Sequence, residues 1–182
     1  AEICFHGSFL ATGKGHGTDR ALVAGLLGLA VDDENIPNSF AIAAERNLTF
    51  SIHGIDLGDA HPNTVKMKLT GKSGRTLEIV AASIGGGQIR ICEIDGLTAN
   101  FCGEYPTLIV HNLDQPGHVT EVTSMLAHKS VNIATMQLYR DSRGGNAVMV
   151  IECDQEVPQE AIRWLEHLEG IEKVTYLSLE ES

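Results

Sequence analysis

The hydrophobic positions change period twice along the chain. From Arg20 to Ala30, Leu22, Leu26 and Leu29 recur at helical spacing while Val23, Leu27 and Ala30 fill the flanking face. The pattern predicts a buried helix that starts at Thr18-Asp19. A second helix is expected from a cap at Asn38 or Ser39 to about Arg46, with Asn47 as its stop. From Leu48 onward the apolar positions fall into strands: Leu48 to His53, Val65 to Leu69, Leu77 to Ser83 and Gln88 to Ile94, with Gly and Asn or Asp between them. Helices early and strands late describe an α+β half.

Asp95-Gly96, Cys102-Gly103 and Tyr105-Pro106 are turn formers, and the expected boundary lies among them, giving domains 1–104 and 105–182. Beyond it, Thr107 to Asn112 reads as a strand. Gly117 to His128 reads as a helix with Val119, Val122, Met125 and Leu126 on one face. Ile133 to Arg140 is a strand with Ala134, Met136 and Leu138 inward, joined by the Asp141 to Asn146 turn to a strand from Ala147 to Glu152. Pro158 opens a helix carrying Ala161, Ile162, Leu165 and Leu168, Gly170 stops it, and Ile171 to Leu179 is a last strand. The order is βαββαβ, a ferredoxin-like module.

Composition narrows the function. With 43% hydrophobic residues in 182, the chain can bury a core; with 13 Lys and Arg against 24 Asp and Glu, its net charge of −11 repels phosphate backbones and anionic lipids. No nucleic-acid partner is expected. The longest apolar stretch, Ala21 to Val31, is shorter than the roughly 18 to 20 residues of a membrane span, so a soluble protein is expected. Cys4, Cys92, Cys102 and Cys153 lie far apart with apolar neighbours and no CxxC pair, as buried reduced thiols of a cytoplasmic protein would.

Two turns of the second module can meet a free amino acid. Asp114, in Leu113-Asp114-Gln115-Pro116-Gly117, and Asn132, in Ser130-Val131-Asn132-Ile133, offer acceptors for an ammonium, and the two turns are expected to form one pocket. The N–H groups near Gly117, His118 and Val119, at a helix start, offer donors to a carboxylate. The alternative is equally open: Asp114 is a turn former and Asn132 a cap. The same segments, from Leu113 to Val119 and from Ser130 to Ala134, resemble ACT domains, amino-acid sensors whose modules pair. The resemblance implies that Asp114, Gly117, His118, Val119 and Asn132 line an effector site and that the chain forms a homodimer through this domain.

In the first half, Phe5-His6-Gly7-Ser8-Phe9, Lys14 to Gly28, His61-Pro62-Asn63-Thr64 and Ser83-Ile84-Gly85-Gly86-Gly87 resemble the β portion of iron-sulfur-dependent L-serine dehydratases. That family pairs an allosteric-substrate-binding (ASB)-like domain, similar to one in phosphoglycerate dehydrogenases, with an ACT domain. The resemblance implies a regulatory and assembly subunit that senses L-serine or a related amino acid. It places the conversion of L-serine to pyruvate and ammonia, with the [4Fe-4S] cluster, on a catalytic α subunit; no cofactor and no catalytic residue is expected on this chain. It also implies a Ser-Ser-His-Thr-type segment ahead of the first strand, so a sequence opening at Ala1-Glu2-Ile3 is expected to be trimmed.

Other residues invite chemistry of their own. Gly13, Gly15 and Gly17 precede a helix, and Lys14, His16, Thr18 and Arg20 complete a candidate anion site, the alternative being a flexible turn with solvated charges. Ser83 to Gly87 reads as a bulge or hairpin, or as a loop facing the α chain. Of eight histidines, His6, His16, His53 and His61 share the first half, but no spacing sets two on one face, and no metal site is expected. Trp164 is expected in core or dimer packing. Two other classes remain: a metal-dependent hydrolase or lyase with an ACT sensor, and a purely structural dimerisation module.

Overall fold

A computed structural model describes residues 1–177 and divides the chain into two compact units, Ala1–Ile89 and a second that begins at Arg90. The fold class is α+β. In the first unit, β1 (Glu2–Phe5) is followed by α1 (Ser8–Thr12), α2 (Thr18–Leu26), a 3-10 turn (Ile36–Asn38) and α3 (Ser39–Glu45). Then come β2 (Ser51–Gly54), β3 (Thr64–Thr70) and β4 (Thr76–Gly85). The strands lie in the order β2-β1-β3-β4, with β1 parallel to β2 and the other neighbours antiparallel. Ile3 and Phe5 point from β1 to the helices, where Val23, Ala43 and Val65 complete the core with Leu22, Leu26, Phe40 and Ile52 around them. The period of two sends Glu2 and Cys4 to the other face.

Helix α2 stops at Leu26, short of the expected Ala30, because Gly28 takes φ +76°. Its N–H donates to the Gly25 carbonyl and the Leu29 N–H reaches back to Ala24, the two bonds of a Schellman ending. The same pair closes α3, with Asn47 at the left-handed position, as its place in the sequence suggests. Ser39 does not cap α3 with its side chain; buried, it donates its hydroxyl to the Arg20 carbonyl at 2.9 Å and ties α3 to α2.

The second unit takes in most of the hairpin of β5 (Gln88–Ile94) and β6 (Leu97–Phe101), turned at Asp95-Gly96, both left-handed. After it come β7 (Thr107–Leu113), α4 (His118–His128), β8 (Ile133–Arg140), β9 (Asn146–Cys153), α5 (Gln159–Leu165) and β10 (Ile171–Leu177). The sheet order β10-β7-β9-β8, antiparallel throughout, is the expected βαββαβ module; the expected residues Ser178 and Leu179 of the last strand lie outside the described residues. Leu108, Val110, Met149 and Ile151 meet Val122, Leu126, Ala161 and Leu165 of the helices. On the opposite face β6 packs on β8 and β9, with the Gln137 amide donating to the Asn100 carbonyl at 2.6 Å. The units therefore divide after Ile89 and not at the expected 104/105, since the hairpin covers the second sheet.

Three inward assignments change. Val119 is 40% exposed and His118, at 7%, takes the buried place in the first turn of α4. On β8, Ala134 and Leu138 are exposed and Met136 packs on the core, because β8 is the sheet edge and its register slips between Ile133 and Thr135. No helix among the described residues is long and apolar enough to cross a membrane.

Candidate effector-binding site

The turn after β7 is held by its own acid. Asp114 Oδ2 accepts from the Gly144 N–H at 3.0 Å and from Arg140 Nη1 at 2.9 Å, while the Asp114 N–H donates to the Gly145 carbonyl. The Gly144 N–H, then the Arg140 guanidinium, hold the carboxyl below its ordinary 3.8. An ionised carboxylate thus stands beside the start of α4, whose first-turn N–H groups have no intrahelical acceptor. These partners, Arg140 at the end of β8 and Gly144 in the turn after it, have no motif that points to them in the sequence.

His118 does not face the turn. Its Nδ1 lies 3.2 Å from Glu121 Oε2, and its ring packs on Gly170, where a Cβ would fall 2.5 Å from Nε2. Nε2 is buried without a hydrogen-bond partner, as is Oδ1 of Asn112, which pairs with Ile171 next to that glycine.

Asn132 lies elsewhere. Its side-chain amide donates to Asp154 Oδ2 at 2.6 Å and its backbone N–H to Gln155 Oε1 at 2.7 Å. Both β7 and β8 run antiparallel to β9 and so parallel to each other. Asp114 follows the end of β7 and Asn132 precedes the start of β8, so one copy holds them at opposite ends of the sheet. The eight residues of β8 place them about 25 Å apart. The single pocket expected from the sequence does not form within one copy; a helix crossing between parallel strands must carry the chain from one end of a sheet to the other.

The Gly13 to Gly17 loop uses its own donors. The N–H groups of Gly13, His16, Gly17 and Thr18 go to the carbonyls of Phe9, Thr12, Lys14 and Gly13, and that of Arg20 goes to the buried Asp19 carboxylate. The side chains of Lys14, His16 and Arg20 are exposed, with Thr18 half-buried beside them. The Arg20 guanidinium lies 6.0 Å from the Phe40 ring centre.

The four histidines of the first unit do not converge. His6 is buried and accepts the Leu57 N–H, His61 accepts the Asn63 N–H, His16 is exposed, and His53 Nε2 lies 2.8 Å from Glu2 Oε1. The last pair stands with Cys4, a grouping the sequence does not reveal because β1 and β2 are separated by the whole helical crossover. All four cysteines are free; Cys4 and Cys153 are buried and Cys92 and Cys102 half-buried. Cys102 donates to Glu152 and Cys153 to the Ile151 carbonyl, and among the described residues no three thiols gather, so these cysteines do not fit a [4Fe-4S] cluster. Trp164, expected in core or dimer packing, is 48% exposed on a groove of about 580 Å³ between α4 and α5.

Residues 1–93 match the family "Serine dehydratase beta chain". The chain belongs to that family. It is 35% identical to the probable L-serine dehydratase beta chain of Bacillus subtilis over 97% of this chain and 80% of that one. It is 36% identical to the L-serine dehydratase beta chain of Peptoniphilus asaccharolyticus over 87% of this chain and 72% of that one. A D-3-phosphoglycerate dehydrogenase of Methanocaldococcus jannaschii is 28% identical over 98% of this chain but only 33% of its own length. Both units therefore have counterparts in the serine dehydratase beta chains and in a third of a dehydrogenase, and an ASB-like unit followed by an ACT-like one is consistent with that pattern.

Proposed function

We propose that this chain is the regulatory and assembly β subunit of an L-serine dehydratase, binding L-serine or a related amino acid while a partner α subunit carries the [4Fe-4S] cluster and converts serine to pyruvate and ammonia in the cytoplasm. The observation that carries this reading is the likeness to two L-serine dehydratase beta chains over nearly the whole chain. The geometry supports a sensor. The Asp114 carboxylate, Gly117 and the first-turn N–H groups of His118 and Val119 present opposite charges side by side, as a zwitterion requires. Asn132 joins them from a second copy, because within one copy it stands at the far end of the sheet; a homodimer through this domain is part of the proposal. The first unit docks on the α subunit. Serine then regulates by binding one arrangement of the domains more tightly than another.

Calorimetric titration of the chain with L-serine, D-serine, glycine and phosphate tests it. Stereospecific heat with L-serine is expected. Asp114→Ala and Asn132→Ala should each weaken binding by roughly 1.5 to 3 kcal/mol, the worth of a hydrogen bond to a charged group. Pyruvate formed from serine by the pure chain alone, or heat from phosphate only, overturns the reading.

A further inference from the structure

Glu2, Cys4 and His53 lie side by side on the face of the first sheet that turns away from its core. Strands β1 and β2 run parallel with Cys4 paired to His53 and Glu2 to Ser51, so Cys4 and His53 project together and Glu2 follows two residues along the same face. Glu2 Oε1 is 2.8 Å from His53 Nε2, and one carboxylate oxygen, one thiol sulfur and one imidazole nitrogen all lie within 4.8 Å of one another. Cys4 is buried at 7% exposure, while the Glu2 and His53 side chains are about half-exposed.

The neighbouring strand brings two ammonium groups to this face, Lys66 opposite Cys4 and Lys68 opposite Glu2. Both lie against Glu78, at 2.7 and 4.0 Å. The Glu2 carboxylate is thus engaged by the imidazole and not by a lysine.

We propose that this trio binds a zinc ion. Sulfur, nitrogen and oxygen in one set suit a borderline cation such as Zn2+, whereas Mg2+ and Ca2+ take oxygen ligands. Bond lengths of about 2.0 to 2.3 Å set tetrahedral ligand atoms more than about 3 Å apart, so the Glu2–His53 contact must open from 2.8 Å while the thiol draws in, movements that the half-exposed Glu2 and His53 side chains supply. Cys4 binds as thiolate and the ion takes the place of the proton between Glu2 and His53, both protons passing to water; His53 binds through Nε2 as the neutral ring with its remaining proton on Nδ1, and water holds the fourth position. The ion would staple β1 to β2, two strands that the chain joins only through the long helical crossover, and the site is independent of the effector-binding reading.

The test is titration of the full chain, stripped with a chelator, with Co2+ followed by Zn2+. One Co2+ per chain is expected, with a thiolate-to-cobalt charge-transfer band and tetrahedral visible bands that Zn2+ abolishes. Cys4→Ser should lose the charge-transfer band, and Cys92→Ser should keep it. His53→Gln, at a half-exposed position that does not threaten the fold, should weaken Co2+ binding at least about ten-fold. Failure to take up stoichiometric Co2+, a charge-transfer band that survives in Cys4→Ser, or unchanged affinity in His53→Gln overturns the proposal.

Discussion

The imidazole of His118 rests on the bare α-carbon of Gly170, where a methyl group would sit 2.5 Å from Nε2 and 2.7 Å from Cε1. The Gly170 carbonyl also accepts the Leu113 N–H at 2.9 Å, so one glycine ties the start of α4, the end of β7 and the entry to β10 together. Its φ of +78° adds a second reason for glycine. Gly170→Ala should destabilise the chain by more than the roughly 1 to 2 kcal/mol of left-handed strain alone. Adding His118→Ala should recover the excess, a coupling of at least about 0.5 kcal/mol in a double-mutant cycle measured by urea unfolding. Strict additivity would show that the ring and the glycine do not meet.

His111 faces Asp95 and Lys173, with Glu172 nearby, and its Nε2 is 3.6 Å from Asp95 Oδ2. Burial lowers its pKa below the ordinary 6.5 and outweighs the opposing pull of Asp95. A neutral ring in the folded state means that the unfolded chain takes up a proton first. This contribution is therefore complete above pH 6.5 and lost as pH falls through the lower folded value. The His111 ring proton followed by NMR should titrate below 6.5, and His111→Leu should flatten the stability profile just below that pH.

Tyr176 joins two segments through its hydroxyl, which donates to Glu156 Oε2 and accepts the N–H of the buried Val157 at 2.9 Å. Burial, then the bond to Glu156, pushes the phenol well above its ordinary range. Tyr176→Phe strands the Val157 N–H and should cost about 1 to 3 kcal/mol by chemical denaturation. A loss under half that range would mean that water replaces the phenol.

Thiol labelling should separate the four cysteines. Burial pushes Cys153 up to about 11, and it is fully enclosed, whereas Cys92 and Cys102 are half-buried. With a thiol reagent at pH 8, Cys92 and Cys102 should react in the native chain, Cys4 more slowly beside Glu2 and His53, and Cys153 only at the rate of unfolding. Mass spectrometry after timed quenching reads the order, and early modification of Cys153 would contradict its burial.

Much of the fold was legible because each element of the second module carries its own period and its own stop. Ser130 at φ +57°, Asn47 and Gly28 end three helices by the same pair of bonds; Asn47 was legible as a stop, whereas the apolar run carried the expected first helix past Gly28 to Ala30. Elements without a long periodic run were not legible. Strand β1 has four residues, α1 has five with none buried, and β6 lies among turn formers where its Ala99 and Phe101 are too few to show a period. At the candidate site, Asp114 was visible as an acid in a turn, but its partners Arg140 and Gly144 arrive from 26 and 30 residues away. The separation of Asp114 from Asn132 was available in principle, since it follows from the βαβ crossover alone.

In the proposed dimer, that separation would turn ligand affinity into a measure of self-association. If one amino acid must touch Asp114 of one copy and Asn132 of the other, dilution releases ligand and partner in the same step. A two-fold pair then carries two equivalent sites or none. Apparent affinity would rise with subunit concentration, and the sensor would respond to its own abundance as well as to the metabolite.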